Sequence, residues 1–259
     1  VNPLVVLEKR EPIAVVTLNR PERHNSLVPA LLEEMLWVWE SLRMQPEFRA
    51  AVVLANGRSF STGGDLAGFY DHMEELESYA STIVGLLNKV ILAMLDLPIP
   101  IVGGVHGIVT GGALGLVLAC DVVLVAPGVS FTPYYSVVGF SPDGGWTAML
   151  PDIIGLKRAA EVLMDNRTIT AEQAVAWGLA SRCVPPERIR DEALGAAQRM
   201  AKKSAGSISR TKELFRSMYG NVAGRLELER AQFARQIMTQ EAQQGIQAFL
   251  NGKRRRAEA

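Results

Sequence analysis

Residues 98–126 read PIPIVGGVHGIVTGGALGLVLACDVVLVA, and this stretch decides the fold class. PIVGGV and DVVLVA are short apolar runs bounded by Pro, Gly and Asp, the form of buried strands. Between them, HGIVTGG is a Gly-rich loop and ALGLVLAC an apolar helical run. A helix that short, with no polar face, can pack only inside the molecule. Strand, loop, internal helix and strand in that order argue for an α/β core.

Working outward, LVVLEKREPIAVVTL (4–18) gives two β-rich runs around Glu11-Pro12, a hairpin or meander. NRPERHNSL is a polar loop in which Asn25 or Ser26 can cap a helix over about 28–44. AAVVLA (50–55) reads as a short buried strand, NGRSFSTGGDL as a loop, and roughly 74–96 as a helix ending before the prolines of LDLPIP. After Asp143 the pattern turns helical, with two helices split by NRTIT, Thr170 capping the second and Gly178 ending it. Beyond Pro185 the chain reads as almost wholly helical to about 250, with Leu214, Phe215, Met218 and Phe233 packing on the core or on a neighbouring subunit. No linker composition and no internal repeat divides the chain. The division expected is a core over 1–200 and a helical region over 201–259.

The 259 residues carry 27 basic and 27 acidic side chains, so the formal charge is zero and gives no support for nucleic-acid binding. The one charge run, GKRRRAEA at the C-terminus, reads as a frayed, solvated tail or as a segment that meets phosphates. Cys120 and Cys183 lie in apolar stretches with no metal or disulfide spacing. The N-terminus has no secretory pattern, and the longest apolar stretches are broken by Gly, Pro or charge before a membrane span is reached. A cytoplasmic protein without membrane or metal is the expectation. No G-x-G-x-x-G, phosphate loop, G-x-S-x-G or H-E-x-x-H is present. His24, His72 and His106 leave a Ser-His-Asp triad unsupported and read as surface or structural residues.

Two segments, VVLANGRSFSTGGDL and PIVGGVHGIVTGGALGLVLACD, share one plan: a buried strand, a small-residue loop, then a helical turn. Small residues admit a ligand to the backbone, and N–H groups opening a helical turn are unpaired donors. Two such donors converging on one oxygen make an oxyanion hole.

Taken in order with VVTLNRPERHNSL, GFSPDGGWTAMLPDIIG and LMDNRTITAEQAVAWGLASRCVP, these segments resemble the crotonase (enoyl-CoA hydratase/isomerase) superfamily over nearly the whole chain. The resemblance implies a spiral core of repeated ββα turns and a helical C-terminal region that mediates a trimer, often a dimer of trimers. It implies an acyl-CoA thioester as substrate, with coenzyme A part of that substrate and no separate cofactor. The thioester oxygen would sit between the N–H groups of Thr62 and Gly112. Ser61, Asp65 and Leu66 would lie along the adenine and Arg23 near the phosphates.

The chain departs from the hydratase pattern at both glutamates that hold and activate water. Gly115 stands at the first position and Tyr135 at the second. Tyrosine, with an ordinary pKa of about 10, is a poor substitute base. Asp143, in VGFSPDGGW, remains. It is a turn residue capping a helix that begins near Gly144, or it is the acid/base. Family members that resemble this chain at that aspartate include ring-opening epoxide and double-bond isomerases of aryl-acetyl-CoA catabolism, where the resemblance implies a base, and 4-chlorobenzoyl-CoA dehalogenase, where it implies a nucleophile. The dehalogenase partners are not retained: its Trp position holds Tyr135 and its His position falls near Asn88. A carboxylate near Phe140, Trp146, Val137 and Val138 would lose hydration and gain basicity. Tyr134, Tyr135, Phe140 and Trp146 are candidates for the acyl pocket, with core packing the other reading of the two tyrosines. Asp71, His72 and Glu74 are either a second polar group over the site or a solvated helix face.

The reading that follows is an enoyl-CoA double-bond isomerase with Asp143 as its single shuttle. The alternatives are a hydratase, a hydrolase or dehalogenase, and a crotonase-fold protein that binds coenzyme A or another protein without catalysis.

Overall fold

The computed structural model describes the backbone of residues 2–258 and the side chains through Gly252. Its strands are β1 (Val5–Arg10), β2 (Ile13–Leu18), β3 (Ala50–Ala55), β4 (Ile101–Val105), β5 (Ile108–Thr110), β6 (Val122–Val125), β7 (Ser130–Thr132), β8 (Ile169–Thr170) and β9 (Arg182–Cys183). The helices are α1 (Pro29–Arg43), α2 (Leu66–Asp71), α3 (Leu76–Leu95), α4 (Leu114–Leu118), α5 (Tyr135–Val138), α6 (Leu150–Ile154), α7 (Leu156–Met164), α8 (Ala171–Ala176), α9 (Ile189–Ala201), α10 (Ala205–Met218), α11 (Val222–Gln236) and α12 (Gln240–Glu258). The expected division at 200/201 falls within α9, one residue before its end.

The large sheet has the order β1-β2-β3-β4-β6-β9, with β1 and β2 antiparallel and the other neighbours parallel. Every residue of β2 is buried, because helices cover both faces of the sheet. Ala14, Val16 and Leu18 face the core built with α1 and α3, while Ile13 and Val15 face a second core with Ile189, Ala193 and Ala197 of α9. This is the period-two alternation of a strand, apolar on both sides.

A second sheet, β5-β7-β8, stands beside the first. Single parallel bridges, Leu27 with Gly64 and Ser61 with Val109, extend its line back along the chain. Each turn of the chain thus leaves a strand in the large sheet, places a short extended piece in the second line, and returns through a helix. That is the spiral of ββα turns, followed by the helical C-terminal region.

Several expectations need correction. Asn25 and Ser26 do not cap α1, which starts after Val28 with Pro29 in its first turn. Asn25 is buried and ties the loop: its Oδ1 accepts from Arg20 N, and its Nδ2 donates to Asn56 O and Ser59 O. HGIVTGG is not all loop, since β5 runs through it. No helix begins at Gly144; turns fill 144–149 and α6 starts at Leu150. The segment Met73–Leu95 is long and apolar enough to cross a membrane by length and composition. Its apolar residues pack against α1 and α11, which accounts for its composition. Thr170 caps α8 with Gln173 in a reciprocal capping box. Phe233 is buried, whereas Leu214, Phe215 and Met218 of α10 are exposed. The backbone of the C-terminal charge run continues α12 to Glu258, and its side chains from residue 253 lie outside the described ones.

Candidate active site

A cavity of about 610 Å³ opens between α2, α3, α5, α11 and α12 and the two small-residue loops. The loops lie side by side because Ser61 pairs with Val109: Ser61 N donates to Ile108 O, and Thr110 N to Ser61 O. Beyond that bridge the backbones almost touch. A Cβ at Gly63 would fall 2.6 Å from Thr110 O and 3.2 Å from Gly111 Cα, and Gly63 has φ +71°. Only glycine fits there.

Thr62 lines the cavity, but its N–H donates to His24 O at 3.2 Å and is already used. This corrects the expected donor. In the bridge between Leu27 and Gly64, Leu27 N donates to Gly63 O and Asp65 N donates to Leu27 O. Gly64's own N–H therefore faces the opposite way, where the cavity lies, and makes no hydrogen bond among the described residues. Gly112 also lines the cavity, in the first turn after Thr110, where N–H groups lack intrahelical acceptors. Gly64 and Gly112 thus each turn an N–H to the cavity that makes no hydrogen bond among the described residues.

Asp143 lines the same cavity and is 7% exposed. The Tyr135 hydroxyl donates to Asp143 Oδ1 at 2.5 Å and lies 3.1 Å from its backbone oxygen. Asp143 Oδ2 makes no hydrogen bond among the described residues and faces Gly112, where a Cβ would be 2.9 Å from it. Burial pushes the Asp143 carboxyl up to about 7, against the Tyr135 hydrogen bond, with Glu229 adding to the rise. Burial and the Asp143 charge hold Tyr135 well above its ordinary value, so it is a hydrogen-bond donor and not a base. Of the other acids lining the cavity, Glu22 is in an exposed turn, and Asp65 is paired with Arg20 at 2.9 Å and Arg23 at 3.4 Å. Burial raises the Asp65 carboxyl, but the Arg20 and Arg23 guanidiniums and Ala67 N–H outweigh it and leave it below its usual range.

The remaining candidates separate. Arg23, Leu66, Tyr134, Tyr135 and Phe140 line the cavity. Ser61 does not: it is fully buried and its hydroxyl donates to Asn25 O. Trp146 does not either. It is fully buried behind Tyr135, and its Nε1 donates to Gly111 O at 2.8 Å. Val137 is exposed, so Val138 alone of that pair adjoins the cavity. His72 bonds Gly68 O and stacks on Tyr79, and neither it, Asp71 nor Glu74 lines the cavity. Asn88 is buried outside the cavity, bonded to Leu226 O. His24 lies at the mouth between Ser59 and Arg58, and His106 bonds Gly57 O. Sequence reasoning missed Gly64, Phe69 and Phe233 as lining residues.

Gly115 shows why its position carries no acid. A Cβ there would collide with Ile91 Cδ1 and lie 2.7 Å from Gly144 O. The Asp143–Gly145 loop fills the space that a longer side chain would need.

A sequence profile described as enoyl-CoA hydratase/isomerase matches residues 8–257. The chain belongs to that family. Among curated relatives of this crotonase-fold protein, a probable enoyl-CoA hydratase of Mycobacterium tuberculosis is 35% identical over 219 residues, 81% of this chain and 75% of that one. A trans-2-decenoyl-[acyl-carrier-protein] isomerase of Streptococcus mutans is 28% identical over 247 residues, 93% of each chain. Among solved structures, an enoyl-CoA hydratase/isomerase from Mycobacterium paratuberculosis superimposes with TM-score 0.89 at 23% identity, covering 95% of this chain and 98% of that one. This likeness speaks for the shared fold.

Proposed function

We propose that the protein is an enoyl-CoA isomerase, moving a double bond between C3 and C2 of a hydrocarbon acyl thioester through Asp143. The carrying observation is a single buried, cation-free carboxylate facing Gly112, with no room at Gly115 for a second. In this reading the N–H groups of Gly64 and Gly112 hold the thioester oxygen. Asp143 Oδ2 takes a proton from C2, and the electron pair delocalises onto that oxygen as a dienolate. The proton returns to C4, a C2=C3 bond forms, and the thioester carbonyl is restored. Nothing is consumed, so one shuttle suffices. Arg23 at the mouth suits the phosphates of coenzyme A. The apolar lining by Leu87, Val84, Phe140 and Phe233 suits an acyl group without hydroxyl or carboxyl substituents. Exposed Leu214, Phe215 and Met218 on α10 suit subunit contact in a homotrimer or dimer of trimers.

Hydration is the competing activity, and the M. tuberculosis relative carries that name. It requires a group to hold water, and Tyr135 is already committed to Asp143. The deciding experiment incubates the protein and its Asp143→Asn variant with 3-hexenoyl-CoA and resolves products by chromatography and mass. A mass-neutral 2-enoyl product, formed about 10²–10⁴-fold more slowly by the variant, is expected. A product heavier by one water assigns hydration instead. Thermal stabilisation by acyl-CoA without turnover on any chain length assigns a binding protein.

A further inference from the structure

Glu229 of α11 lies outside the cavity lining and is 4% exposed. Its carboxylate accepts from Gly145 N at 2.8 Å, Thr147 N at 2.7 Å, Thr147 Oγ1 at 2.7 Å and Ala148 N at 2.9 Å. Those donors belong to the turns that immediately follow Asp143. Burial pushes the Glu229 carboxyl up and outweighs the hydrogen bonds from Thr147, Gly145 and Ala148 that draw it down, but all four contacts come from donors, the set that a carboxylate anion takes.

The clamped segment touches both halves of the catalytic geometry. Asp143 begins it. Gly144, with φ +62°, packs so closely on the oxyanion loop that a Cβ would fall 2.5 Å from both Gly112 Cα and Gly112 O. Trp146 bonds Gly111 O. We infer that Glu229 is a positioning residue: by gathering the backbone at Gly145, Thr147 and Ala148 it fixes the Asp143 carboxylate against Gly112. The inference rests on Asp143 being the proton shuttle.

The groups facing Asp143 limit what else could act on it. From α5 there is the Tyr135 hydroxyl, from α11 the Glu229 charge, from α3 the uncharged Leu87, and from the Gly111–Gly112 turn only backbone. Removing the Glu229 charge therefore lowers the Asp143 midpoint. Replacing one carboxylate oxygen by NH₂ also faces a donor with a donor at Gly145 N, which loosens the turn.

The test compares wild type, Glu229→Gln and Thr147→Val in two readouts. The first is the titration of the Asp143 carboxyl by ¹³C NMR, assigned with Asp143→Asn, which needs no turnover. The second is the pH profile of kcat/KM for isomerisation. In Glu229→Gln the Asp143 midpoint is expected to fall, the acid limb to follow it, and kcat to drop at least tenfold at its plateau with KM within threefold. Thr147→Val keeps the charge and loses one hydrogen bond, so kcat falls less and the midpoint stays within a few tenths of a unit. If Glu229→Gln does not fold, a kcat loss in Thr147→Val without a fall in melting temperature carries the inference. An unmoved Asp143 midpoint and limb in Glu229→Gln, with only a lower melting temperature, overturns it. So does a Thr147→Val variant whose melting temperature falls without loss of kcat when Glu229→Gln does not fold. A wild type that titrates as described but turns over no enoyl-CoA refutes the isomerase reading and leaves the positioning of Asp143 tested by NMR alone.

Discussion

Asp143 carries opposing influences on one carboxyl. Burial, helped by the Glu229 charge, raises it to about 7 against the Tyr135 hydroxyl, which holds it down. In the proposed isomerisation the base must be ionised to take the C2 proton, so kcat/KM is expected to rise with pH through a limb near 7. Tyr135→Phe removes the hydrogen bond that favours the ionised form. The limb then moves to higher pH, activity at pH 7 falls, and most of it returns at pH 9. A pH profile checks this, and a limb that stays in place shows that Tyr135 does not set the basicity. PDGG and the family resemblance made Asp143 legible in the sequence. The choice between Thr62 and Gly64 was not. It turns on which way a peptide N–H points, and that is set by Leu27, 37 residues before Gly64 and paired with it by a single bridge. Glu229 was equally hidden: in LELERAQ it is one charged residue among several on a helix, and its partners lie more than 80 residues upstream.

At the scale of elements, long periodic segments were readable and short ones were not. AAVVLA became β3 with the same limits because six apolar residues between turns have few other uses. β5 and β7 have three residues each and β8 two, too few to show any period, and they exist because neighbouring turns of the spiral supply partners. α12 shows how an element can depend on one missing side chain. Gly245 lies against the backbone of Val138 in α5, and a Cβ there would enter the contact distance of Val138 O. Phe249 and Leu250, one turn on, line the cavity. Gly245→Ala is expected to lift α12 from α5, costing about 1–3 kcal/mol. KM for acyl-CoA should rise more than kcat falls, and the acid limb should not move. Thermal melts and steady-state kinetics test it together.

For the molecule as a whole, the order of strand, loop and helix was legible, since each turn of the spiral repeats the same local grammar. How the C-terminal region closes on the core was only partly legible: Phe233 of α11 could be expected to pack there and does, but other anchors are single polar residues. Lys212 of α10 is one. Its side chain is 8% exposed and donates to Met94 O, Ile99 O and Asp121 Oδ2, the last at 2.8 Å. Asp121 Oδ2 also accepts from Ile101 N at the start of β4. One ammonium thus joins α10, the end of α3 and the large sheet. Lys212→Met leaves a part-buried carboxylate without its cation, and the expected loss is roughly 2–4 kcal/mol, below the full cost of a wholly buried pair because Asp121 retains some water. A urea midpoint that hardly moves would show the contact to be incidental.

The Glu229 clamp also has a consequence in time. Gly145 and Glu229 are 84 residues apart, and a ribosome adding ~5–20 residues per second makes the first roughly 4–17 s before the second. Throughout that interval the growing chain holds Asp143 and the bare N–H groups of residues 145–148 without the anion that gathers them. The spiral can begin to stack as it emerges, but the turns beside Asp143 can close only once Glu229 has been made. A nascent or prematurely ended chain lacking Glu229 therefore presents unpaired backbone donors beside Asp143.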